Sequence, residues 1–165
     1  MISRAAALLA AAALVGCKDV ASYSTGPDES YCGSVIQGPF VRAGLGPDVQ
    51  MRLSFNADAL DSSPGAVTTS DGLLVNASLQ AIPQFFHDPL STLQFGEGRR
   101  RNLIYTATPN APGPALFVVV SLMENSAVEI RLLRGNPATD GQAPPSNLAV
   151  FGVFPLQRRK GDCGL

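Results

Sequence analysis

Residues 115–133 read ALFVVVSLMENSAVEIRLL, and the spacing of their apolar side chains decides the fold class. Val128, Ile130 and Leu132 alternate with Glu129 and Arg131, the period of two that belongs to a strand with one buried face. The preceding run, Ala115 to Met123, is apolar on both faces and β-branched at its centre, which suits a central strand. A helix over 117–133 is disfavoured, because three consecutive valines lose side-chain freedom against the preceding turn. Asn125 and Ser126 supply turn chemistry between the two runs, so the stretch reads as a β-hairpin.

Working outward, the same alternation appears at Val49, Met51, Leu53 and Phe55 against Gln50, Arg52 and Ser54. Further strands are expected at Val35 to Val41, interrupted by Gly38 and Pro39, and at Ala66 to Thr69, joined to Leu73–Val75 through the turn pair Asp71 and Gly72. Leu79–Ile82, Leu103–Thr108 and Leu148–Phe154 complete the set. Gly- and Pro-rich segments punctuate it: SSPG at 62–65, TPNAPGP at 108–114 and GNPATDGQAPPSN at 135–147. Seven to nine short strands with such punctuation predict an all-β fold, an antiparallel β-sandwich with a β-barrel as the alternative. There is no internal repeat, and a single β-rich domain over 32–165 is expected.

The N-terminus has a different character. An apolar run of eleven residues, Ala5 to Val15, follows Arg4 and ends at Gly16 and Cys17. It is too short to span a bilayer, which takes about 20 residues, and has no polar face to make it an amphipathic core helix. A positive start, a short apolar middle and small residues at the end describe an export signal. Leu14, Val15, Gly16 and Cys17 resemble the lipobox of bacterial lipoproteins. That resemblance covers the first seventeen residues. It implies that 1–16 are removed as a signal peptide and that the Cys17 thiol is diacylated, its new amine usually acylated as well. One fatty chain holds a protein to a membrane only marginally, and two or more hold it stably. In this family an aspartate directly after the cysteine tends to retain the protein in the inner membrane. Lys18 stands there, so the resemblance implies the outer membrane, with the domain facing the periplasm or, after further export, the cell surface.

The chain of 165 residues has a formal net charge of −1; loss of Arg4 with the signal makes it −2. No basic excess points to nucleic acid. Of the three cysteines, acylation of Cys17 leaves Cys32 and Cys163, which are expected to pair in an oxidising compartment. Their separation of 131 residues corresponds to about 5 kcal/mol in the chain-entropy description of a disulfide. The polar segment KDVASYSTGPDESY, 18–31, is expected to be a flexible tether spanning roughly 20 Å, so that 17–31 form a lipidated N-terminus ahead of the domain.

Catalytic material is sparse. His87, in QFFHDPLS, is the only histidine; Asp88 beside it points to the other side of an extended chain, and no Gly-x-Ser-x-Gly elbow offers a nucleophile. One histidine and two paired cysteines do not make a zinc site, and Asp58 and Asp61 lack the spacing of a calcium loop. GEGRRR, 96–101, lacks the Lys-Ser/Thr ending of a phosphate loop. No metal and no cofactor are implied. Arg99, Arg100 and Arg101, expected in a turn before the Leu103 strand, and Arg158, Arg159 and Lys160, expected in a C-terminal turn, are candidate contacts for an anionic partner. The expected function is a membrane-anchored, non-catalytic envelope lipoprotein that binds or supports a protein partner. The alternative is an envelope hydrolase centred on His87. The absence of tryptophan weighs against stacking on a sugar face.

Overall fold

The structure, a computed structural model, describes residues 20–37, 45–82, 99–134 and 149–165. Its strands are β1 (Glu29–Ser34), β2 (Gln50–Phe55), β3 (Gly65–Thr69), β4 (Ala77–Ser78), β5 (Gln80–Ala81), β6 (Arg99–Ala107), β7 (Leu116–Met123), β8 (Val128–Arg134) and β9 (Ala149–Lys160). The fold is all-β, as the alternation predicts, and every pairing is antiparallel.

The hairpin at 115–133 forms as read. Leu122 faces Val128 across β7 and β8. In the turn, the Met123 N–H donates to the Ala127 carbonyl at 3.0 Å, and Asn125 Oδ1 accepts from the Ala127 N–H at 3.1 Å. Ser126 takes the left-handed conformation that reverses the chain, with φ 66°.

The nine strands make one sheet in the order β4-β3-β2-β1-β9-β8-β7-β6-β5. Its two lateral edges, β4 and β5, are consecutive pieces of one extended segment, separated by Leu79 alone. Leu79 donates its N–H to the Gly65 carbonyl on one side at 2.8 Å, while Gln80 and Ala81 pair with Thr106 and Tyr105 on the other. The sheet therefore runs nearly full circle, as a barrel-like meander in which each strand neighbours the next and β9 returns to β1. Residues 77–81 keep one alternation throughout, with Ala77 and Leu79 buried and Ser78 and Gln80 exposed.

One core fills the interior. Tyr31, Met51, Leu53, Val67, Leu79, Tyr105, Val118, Val120, Ile130, Leu132, Phe154 and Leu156 each have no measurable exposure, and all sit at the inward step of their strands. At the outward step, Asn102 and Ser121 face each other across β6 and β7; both are buried, and the Ser121 hydroxyl donates to Asn102 Oδ1 at 2.7 Å.

Several expectations are corrected. Of the segment expected as a tether, residues 20–31 are folded: Val20–Tyr23 form a 3-10 turn, Tyr23 is 1% exposed within the core, and β1 begins at Glu29, ahead of Cys32; residues 18 and 19 lie outside the described residues. Tyr23 anchors it together with Val20, which packs against the core, and Arg158, which donates to the Ser22 carbonyl. Of the strand expected at Val35–Val41, residues 35–37 carry no strand and 38–41 lie outside the described residues; β1 ends just before it, at Ser34. Leu73–Val75 form bends, and the strand resumes at Ala77. Arg99–Arg101 belong to β6, with a bulge between Arg99 and Arg101, and Arg158–Lys160 belong to β9; neither triplet lies in a turn.

Candidate functional site

Strand registers sort the loops between two rims. The starts of β1, β3, β6 and β8 and the ends of β2, β5, β7 and β9 gather at one rim, which Tyr23 occupies. The turn 70–76 and the loop 108–115 lie together at the other, where the Asn110 N–H donates to the Leu73 carbonyl at 2.9 Å. The two basic triplets, 57 residues apart in sequence between Arg101 and Arg158, therefore share the Tyr23 rim.

At that rim the side chains interlock. The Tyr23 hydroxyl donates to the Met123 carbonyl, and the Tyr31 hydroxyl donates to the Tyr23 carbonyl at 3.1 Å. Arg158 stands at the inward step after Phe154 and Leu156. Its Nη2 donates to the Ser22 carbonyl and, at 2.9 Å, to the Tyr31 hydroxyl. Its Nη1 is 3.9 Å from Glu29 Oε2, and its guanidinium lies 5.3 Å from the centre of the Tyr31 ring. Burial pushes the Tyr31 phenol above its ordinary pKa, opposed by the Arg158 hydrogen bond and charge. Arg158 is thus a clasp between the N-terminal segment and the barrel, with its donors directed into the fold. Arg159 and Lys160 are exposed and have no ion pair among the described residues. Arg101 is likewise exposed at the start of β6.

Cys32 takes the outward step of β1. The chain beyond β9 turns back over it, with the Gly161 N–H donating to the Asp28 carbonyl at 2.9 Å and Cys163 at φ 67°. Cys32 and Cys163 are bonded, their Cα atoms 5.8 Å apart, within the usual range. The expected pair is present, and it lies outside the barrel, clamping the C-terminal turn to β1.

Beside this clamp an open groove of about 740 Å³ runs along β1, β2 and β3, with Arg52, Ser54, Asn56, Ser63, Asn76 and Asp162 among its walls. Arg52 reaches the Leu165 carbonyl and Thr68 Oγ1, each at 3.4 Å, and Ser63 and Ser78 share a hydrogen bond of 2.6 Å. The groove is lined by polar and apolar surface in near-equal parts, and among the described residues it holds no pairing of a nucleophile with a base. Among the described residues there is no cluster of metal-ligating side chains and no helix long and apolar enough to cross a membrane. His87 and Cys17 lie outside the described residues.

Sequence reasoning missed the Tyr23, Tyr31 and Arg158 interlock. The available signal was two tyrosines in a segment otherwise polar and rich in turn formers.

Comparison of the chain with protein-family profiles, with curated proteins and with solved structures returns no match.

Proposed function

We propose that the protein is an envelope lipoprotein, released from its signal at Cys17, held by acyl chains on that residue at the outer membrane, and serving as a non-catalytic binding or structural module. The observation that carries this reading is the Cys32–Cys163 disulfide. It suits an oxidising compartment and leaves Cys17, within Leu14-Val15-Gly16-Cys17, as the one cysteine without a partner in the chain. The apolar core that the described residues pack inside the barrel favours a binding role through outer surfaces. Partners are then the membrane, through the anchor, and an envelope protein.

The test is Cys17→Ser in the exporting cell. The wild-type protein partitions into the membrane pellet and carries the added mass of its acyl chains. The variant is expected in the soluble fraction without that mass. Unchanged partition and mass overturn the reading.

A further inference from the structure

The reach of the chain between Cys17 and the barrel sets how the domain stands on the membrane, on the lipid anchor proposed above. Val20 packs against the core, Ser22 is held by Arg158, and Tyr23 is 1% exposed, with its hydroxyl on Met123 and its carbonyl on Tyr31. Lys18 and Asp19 are the whole of the chain between Cys17 and Val20. Three Cα steps of about 3.8 Å place Val20 at most about 11 Å from the acylated residue. Acyl chains in the hydrocarbon layer hold Cys17 at the headgroups, a zone of roughly 5–8 Å per leaflet.

The geometry points to a domain that stands on the lipid surface by its Tyr23 rim, fixed by the two-residue leash. The opposite rim, with the 70–76 turn and the 108–115 loop, faces away. Strand β7 has eight residues; at about 3.3 Å each and a tilt near 40°, it lifts that rim roughly 20 Å further from the bilayer. Among the described residues the membrane-facing rim carries four exposed cations, Arg101, Arg158, Arg159 and Lys160, against five exposed carboxylates, Asp58 and Asp61 of the β2–β3 loop among them, a near balance of charge. The leash therefore sets the apposition, and salt does not undo it. Among the described residues, the exposed large apolar side chains, Ile36 and Val75, lie at the far rim.

The experiment uses full-length acylated protein in phosphatidylethanolamine–phosphatidylglycerol vesicles carrying a headgroup spin label. A fluorophore is attached through Glu124→Cys on the Tyr23 rim or Val75→Cys on the far rim, both exposed positions. Mass spectrometry first establishes acylation; an unacylated Cys17 overturns both this inference and the function it rests on. With acylation present, quenching is expected to be several-fold stronger at position 124 than at 75, and to persist at high salt. Inserting about ten Gly/Ser residues after Asp19, a span of roughly 17 Å, is expected to abolish the difference while leaving the protein in the membrane. Equal quenching at both positions, loss of the difference with salt, or no effect of the insertion overturns the inference and leaves the lipoprotein reading intact.

Discussion

Tyr105 has no measurable exposure, and its hydroxyl has no hydrogen-bond partner among the described residues. Burial pushes its phenol far above the ordinary range, with Arg101 pulling weakly against it. A buried hydroxyl left unpaired costs about 1–3 kcal/mol, so Tyr105→Phe, which keeps the ring, is expected to raise stability by about 1 kcal/mol in urea denaturation near neutral pH. The pH dependence follows from the same burial. The folded state holds protons on Tyr31 and Tyr105 that the unfolded chain releases above about pH 10. Their contribution is complete below that pH and is lost as pH rises through the folded-state values. Urea midpoints measured from about pH 8 to pH 11 are expected to fall less steeply for Tyr105→Phe than for wild type. A parallel fall in both proteins assigns the alkaline loss to Tyr31 and other groups. Tyr31 differs from Tyr105 in having Arg158 as a donor, whose hydrogen bond and charge oppose the upward shift that burial causes.

At the scale of the element, closure depends on how near β1 and β9 can come. Their ladder runs from Glu29 opposite Lys160 to Cys32 opposite Gln157; Pro155, which has no N–H to give, lies just beyond. Gly33 sits where the two backbones meet, and a Cβ added there falls 2.0 Å from the Pro155 carbonyl oxygen. The neighbour is backbone in a strand paired on its other side with β8, so it cannot simply swing away. Gly33→Ala is expected to lower stability by about 2–3 kcal/mol, read as a fall in the thermal midpoint with the disulfide intact. A midpoint within error of wild type excludes a tight approach at this point. The elements themselves differ in how plainly they can be read. β2 and β8 declare themselves because their inward residues are aliphatic or aromatic and their outward ones polar. β1, ESYCGS, carries one large inward side chain, Tyr31, among small polar residues; its strand character comes from partners on either side. β9 runs past Phe154 to Lys160 because Arg158 takes an inward step at the rim, where a guanidinium finds a carbonyl, a phenol and a carboxylate.

At the scale of the molecule, the N-terminal segment belongs to the fold. A chain beginning at Cys32 loses Tyr23, Tyr31 and half of β1, two large core aromatics whose removal costs about 3–5 kcal/mol each. Total stabilities of 5–15 kcal/mol leave little after such a loss. A soluble chain from Val20 to Leu165 is expected to unfold in one cooperative thermal transition, and one from Cys32 to Leu165 to show none. A cooperative transition of unchanged midpoint in the shorter chain shows the segment to be dispensable. The same packing ties the proposed anchor to the barrel, so the stability of the Tyr23 rim and the standing of the domain on the membrane are one property.

The sequence by itself determined what local chemistry controls. Alternation of period two placed β2 and β8, a run apolar on both faces and β-branched at its centre placed β7, Asn125 and Ser126 marked the hairpin turn, and Cys32 and Cys163 were left to pair once Cys17 was set aside by its resemblance to a lipobox cysteine. These depend on neighbours within a few positions, or on a redox compartment, and need no knowledge of the whole. The tertiary structure alone decided that the sheet bends at Leu79 and joins β1 to β9, and that Tyr23 fills the rim. It also decided that two basic triplets far apart in the chain meet at one end. Each of those depends on contacts between residues well separated in the chain, from 14 positions for Leu79 and Gly65 to more than a hundred for β1 and β9, whose energies appear once the intervening strands have curved the sheet far enough for its ends to touch.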